Sequence, residues 1–147
     1  MIRLKEYLYM YSLLINIMHL LTYQAKHLNN LYRLCSIGGH TSEDLSHAFD
    51  YIFAEPHTTL GIILDIQNGL SLFPKEGAVV FARKANEYGI KACILAVVVQ
   101  QDDIKNVRAR YELYPELVQQ YIDMTVEIFS NEADATLWIN QKLTSSQ

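Results

Sequence analysis

The run Ala92-Cys93-Ile94-Leu95-Ala96-Val97-Val98-Val99 contains no polar residue. An amphipathic strand would alternate, so an unbroken β-apolar run of this length is a strand buried on both faces. Leu60-Gly61-Ile62-Ile63-Leu64 reads the same way and ends in a single carboxylate, Asp65, just before the turn signal Gln67-Asn68-Gly69. Strands of this kind belong to parallel sheets, and open α/β sheets carry their functional groups at the carboxyl edge. Asp65 stands at that edge and organises the reading of the chain.

The remaining segments alternate around these two. Tyr23 to Leu28 and Leu31 to Ile37 read as short strands joined at Asn29-Asn30, since Asn tolerates the positive φ of a two-residue turn. Gly38-Gly39 ends the second strand. Thr41 caps a helix with the stripe Leu45, Ala48, Phe49, Ile52 and Phe53, and Glu55-Pro56 stops it. A second helix runs from about Pro74 to Gly89, with Val79, Val80, Phe81, Ala82 and Tyr88 as its apolar positions. Asp102-Asp103 opens a third helical region. Its stripe of Ile104, Val107, Tyr111, Tyr114, Val118 and Tyr121 passes through Pro115, which must kink or break it. Thr125 to Phe129 is a last strand. Asn131 begins a last helix, with Ala135, Leu137, Trp138 and Leu143 turned inward. The expectation is an α/β fold: a mixed, mostly parallel sheet with an N-terminal β-hairpin and about four crossover helices.

Residues 23–147 are expected to form one domain, the usual count for a chain of 147 residues. Residues 1–22 are an apolar N-terminal helix or extension. Leu4, Tyr7, Leu8, Tyr11, Leu14, Ile15, Met18 and Leu21 fall at helical spacing, which suits a helix packed on its own domain or a sister subunit. A basic start before an apolar run also fits a signal peptide or membrane anchor. Against that, Tyr23 stands where a cleavage site wants a small residue, and the run falls short of the roughly 18 residues a membrane span needs. An extension foreign to the domain is the third reading.

Half the residues are hydrophobic and the net charge is −4, with 12 Lys and Arg that never gather into a stripe. That excludes disorder and gives no footprint for nucleic acid. Cys35 and Cys93 sit in apolar runs without a C-x-x-C pair, so they read as buried free thiols in a reducing, cytoplasmic setting. The five histidines contain no H-x-x-x-H pair, and no Ser or Cys sits in a nucleophile elbow. No metal, cofactor or catalytic residue is expected, and the chain does not read as an enzyme. Asp65 could be the phosphoacceptor of a receiver-like sheet. That chemistry also needs an acidic pair after the first parallel strand and a Lys after the last, where Ile37-Gly38-Gly39 and Phe129-Ser130-Asn131 stand instead. Asp65 is therefore expected to accept hydrogen bonds from the loop that follows it. Tyr111, Tyr114 and Tyr121 share the third helical stripe and read first as core.

Several pieces resemble the STAS or SpoIIAA-like family, especially its uncharacterised bacterial branch. They are Leu31-Tyr32-Arg33 leading to Gly39-His40-Thr41-Ser42-Glu43-Asp44-Leu45, then Ile62-Ile63-Leu64-Asp65. Val126-Glu127-Ile128-Phe129 and Glu132-Ala133-Asp134-Ala135, running on to Trp138-Ile139, complete the match. The resemblance covers about residues 23 to 143 and implies a STAS (SpoIIAA-like) fold acting by protein contacts. In the anti-sigma-factor antagonists of that family, a Ser or Thr in an Asp-Ser-x-Gly loop is phosphorylated. The matching loop here is Phe73-Pro74-Lys75-Glu76-Gly77, which keeps the Gly and has Lys75 and Glu76 at the hydroxyl positions. Ser71 is nearby but off the motif. The resemblance thus implies an interaction module without the phosphorylation switch, with Asp65, Ser71, Lys75, Glu76 and Gly77 as the candidate interaction loop. The expected partner is a protein of unknown identity or a second copy in a homodimer. The alternative is a binder of a small apolar or lipid-like ligand. If the helices wind on one side of the sheet, as the resemblance implies, the run Ala92 to Val99 needs another cover on its far side. The N-terminal helix or a second subunit is expected there, ahead of an apolar ligand.

Overall fold

A computed structural model describes residues 23–36, 42–68 and 75–145. The expected helix over residues 1–22, the Gly38-Gly39 stop, the Thr41 cap, Ser71 and Pro74 lie outside the described residues. The strands are β1 (Tyr23–Leu28), β2 (Leu31–Ser36), β3 (Thr59–Asp65), β4 (Ala92–Val98) and β5 (Asp123–Phe129). The helices are α1 (Ser42–Phe53), α2 (Lys75–Glu87), α3 (Ile104–Tyr111), α4 (Tyr114–Val118) and α5 (Glu132–Ser145), with a 3-10 turn at Gln101–Asp103 before α3. Pro115 falls in the first turn of α4, where its missing N–H costs no helix bond, so the broken stripe becomes two helices.

The sheet order is β1-β2-β3-β4-β5. Strands β2 to β5 are parallel, and β1 lies antiparallel to β2. Asn29 joins β1 to β2 with φ of 55°, a left-handed conformation that Asn accepts more readily than most residues. Its neighbour ties that turn to β3. The Asn30 side-chain amide donates to the Thr59 carbonyl at 2.9 Å, and Gly61 N–H donates to the Asn30 carbonyl at 2.8 Å.

Each parallel crossover advances by one strand in the same direction. Right-handed crossovers then place α1, α2 and the α3–α4 pair on one face of the sheet. The larger core lies there, with Phe49, Ile52, Phe81, Tyr111 and Tyr114 packed over Leu60, Ile62, Leu64, Leu95 and Val97. No strand follows α5 among the described residues, so this handedness rule does not bind it. It lies across the opposite face, where Ala135, Ile139 and Leu143 cover Ile63, Ile94, Ala96 and Val98. Among the described residues the far-side cover is thus the last helix of the same chain, a cover that the sequence reading did not include. It also departs from an arrangement with all helices on one side. Strand β4 is buried on both faces, as its sequence requires.

Two helix faces differ from expectation. In α2 the buried positions are Ala78, Phe81, Ala82 and Ala85, while Val80 is exposed and Tyr88, just past the helix end, is 59% exposed. Alanines at i, i+4 and i+7, with Phe81 at i+3, let the helix lie close to the sheet, and that spacing outranks Val80 and Tyr88. Tyr88 stacks instead on Phe53, with ring centroids 5.1 Å apart. In α5, Ile139 takes the buried place expected of Leu137, which is 61% exposed. Gly89 caps α2 as its position predicts: its φ is 88°, and Ile90 N–H donates to the Ala85 carbonyl at 2.9 Å. No helix among the described residues is long and apolar enough to cross a membrane.

Candidate functional site

Alternation along β2 puts Tyr32 and Leu34 on the helix-covered face, and Leu31, Arg33 and Cys35 on the α5 face. On β3, Asp65 falls on that same face, and its register partner is Cys35. Glu132 opens α5 above them. Arg33 Nε donates to Glu132 Oε1, while Nη2 reaches Glu132 Oε2 and Asp65 Oδ2, each at 3.1 Å. One guanidinium thus ties β2, β3 and the start of α5 together.

Asp65 is 6% exposed, the one buried charged residue among the described residues. Its Oδ1 accepts from Gln67 N–H at 3.1 Å, the loop bond expected of it, and its Oδ2 accepts from Arg33. Cys35 Sγ stands 4.0 Å from Oδ2. The bond to Glu132 holds the Arg33 guanidinium above its ordinary range. Burial, reinforced by the Asp65 charge and opposed by Arg33, pushes the Cys35 thiol up. A thiol kept protonated is a poor nucleophile. With both Asp65 oxygens engaged, the cluster is built to hold three elements in register.

The carboxyl edge is tied further by amides. Gln67 Nε2 donates to the Ser130 carbonyl at 3.4 Å, and Gln100 Nε2 donates to the Gln67 carbonyl at 3.0 Å. The residues after β3, β4 and β5 are therefore cross-linked. Of the expected interaction loop, Asp65 is withdrawn into the ion cluster. Lys75 and Glu76 are exposed in the first turn of α2, Gly77 is half-buried there, and Ser71 is outside the described residues.

Further along α2, Val80 is exposed. Leu113, between α3 and α4, and Leu117, on α4, are exposed as well, and α4 packs against α2. Val80 and Leu117 are thus exposed apolar side chains on touching helices, and Lys75 and Glu76 are exposed in the first turn of one of them.

Beneath the same helices lies a cavity of about 50 Å³, between the sheet and α1, α2 and α3–α4. Leu34, Phe49, Ile62, Leu95, Tyr111 and Met124 are among its lining residues. Cys93 lines it too, and burial pushes that thiol up to about 12. Tyr111 and Tyr114 are core, their rings 4.9 Å apart. Among the described residues no group of three or more His, Cys, Asp and Glu could hold a metal ion.

Arg33 and Glu132 are the site residues that sequence reasoning missed. They stand 99 positions apart, and only the fold brings them together. One signal was present: an Arg inside the apolar strand Leu31-Tyr32-Arg33-Leu34 must find a carboxylate if its strand is covered. Set against family models, curated proteins and solved structures, the chain gives no match in any of the three comparisons.

Proposed function

We propose that this chain is a STAS-like (SpoIIAA-like) interaction module of bacterial type, without catalytic activity and without the phosphorylation switch. It docks a protein through the exposed side of α2 and α4, and its first partner is a second copy of itself. The carrying observation is the exposed Val80 and Leu117 on helices in contact, with Leu113 exposed in the turn before the second of them. Isolated surface leucines need no explanation, but several on or between adjoining helices favour a docking face. The stepwise strand order, with antiparallel β1 beside β2, supports the family reading, while α5 on the far face departs from it. Lys75 and Glu76 in place of hydroxyls support loss of the switch. The buried free thiols Cys35 and Cys93 fit a reducing cytoplasm.

Sedimentation velocity of the full chain over a concentration series tests this. The wild type is expected to dimerise, and Val80→Glu with Leu117→Glu is expected to weaken dimerisation by about tenfold or more while leaving the circular dichroism unchanged. A wild type that stays monomeric throughout, or a double variant that dimerises as well as the wild type, would sink the proposal.

A further inference from the structure

We infer that the cavity between the sheet and helices α1, α2 and α3–α4 binds one short, neutral alkyl group or an apolar molecule of similar size. Three observations fix the class. The volume of about 50 Å³ is roughly a third of the about 150 Å³ hydrocarbon cavity that accepts benzene, so the occupant is small. No charged residue and no amide side chain is among the lining residues, so nothing inside could hold a carboxylate, phosphate or ammonium. Cys93, the lining thiol, stays protonated far above neutral pH and adds no charge. A polar site of this size would hold ordered water, whereas a hydrocarbon-walled one gains by taking up carbon.

The site is independent of the docking face, because Ala48, Ala78 and Cys93 line the cavity while Val80 and Leu117 point outward. It excludes the charged headgroup of a lipid, and it admits at most the end of a chain.

Methyl NMR of the full protein reads the site directly, with Ile62, Leu64, Leu95 and Met124 as reporters. Xenon and ethane are expected to shift these methyls saturably, and acetate, a charged molecule of similar size, to leave them unmoved. Ala48→Leu and Ala78→Leu each fill the space and should weaken xenon binding by about tenfold or more while the far-face methyls of Ile94 and Ile139 stay in place. Should both variants fail to fold, the reaction of Cys93 with a neutral organomercurial, in a Cys35→Ser background, decides. Saturating xenon should slow it. The inference is overturned if xenon and ethane leave the reporter methyls unshifted, if acetate matches ethane, if binding survives unchanged in a folded filled variant, or if xenon leaves the Cys93 rate unaltered.

Discussion

A Cβ placed on Gly61 would stand 2.8 Å from Leu143 Cδ1 and 3.3 Å from Leu31 Cδ1. The glycine in the middle of β3 is therefore the notch into which the last turn of α5 settles. Gly61→Ala is expected to cost about 1–2 kcal/mol, because Leu143 must give way. Leu143→Ala alone should cost about 2–3 kcal/mol through the cavity it leaves. The double variant should cost clearly less than the two together, since alanine at 61 partly refills that space. Urea denaturation of the four proteins measures the coupling, and strict additivity would contradict the packing of α5 on β3.

Arg33 bridges two carboxylates of unequal burial. Asp65 is buried, whereas the Glu132 side chain is 43% exposed. Arg33→Ala strands the Asp65 charge and should cost about 2–3 kcal/mol. Glu132→Ala removes a solvent-screened partner and should cost no more than about 1 kcal/mol. Ile139 and Leu143 contribute about 3–6 kcal/mol by burial, so packing rather than the ion pair holds α5 in place. Thermal melts of the two variants check the order, and a larger loss from Glu132→Ala would refute it.

Cys93 makes stability fall with alkali. Its thiol titrates near 9.0 when unperturbed and at about 12 in the folded chain. Above pH 9 the unfolded chain releases a proton that the folded chain keeps, so unfolding gains about 1.4 kcal/mol per pH unit, up to about 4 kcal/mol by pH 12. Tyr32 and Cys35 are shifted upward as well and push the same way. The expected result is a stability plateau below pH 9 and a decline above it. Cys93→Ala should lose the steepest part of that decline, measured by urea unfolding from pH 8 to 11.

Tyr32 Oη and His57 Nε2 are hydrogen-bonded at 2.8 Å, which links β2 to the segment that leads into β3. Tyr32→Phe keeps the ring against Tyr51 and removes that bond. A loss of about 1 kcal/mol is expected, because the half-buried His57 can turn to water. Tyr32→Ala also removes the fully buried ring and should cost several times more, an order that urea unfolding of the two variants checks.

The parts of this fold carried by local pattern were legible in the chain. Ala92 to Val99 could only be a two-sided strand, Pro115 had to kink or break its helix, and Gly89 was a fitting end for α2. What escaped was set by partners distant in sequence. Leu137 and Ile139 are both apolar and two positions apart, and which one turns inward depends on where α5 lands. Val80 and Ala78 pose the same choice, settled by how closely α2 approaches the sheet. At the site, Asp65 was visible from its place at a strand end, but its Arg33 and Glu132 partners were not, because neither shares a local motif with it.

The order in which these pieces are synthesised has a cost. By the time Phe129 has been added, all five strands exist, and not one residue of α5 does. Without α5 the surface of Ile63, Ile94, Ala96 and Val98 loses its cover among the described residues, and a chain that pairs its strands first displays a greasy sheet. The safe route is for the sheet to stay loose until Glu132 to Leu143 follow. A chain truncated between β5 and α5 should accordingly be bound by chaperones more strongly than the full chain.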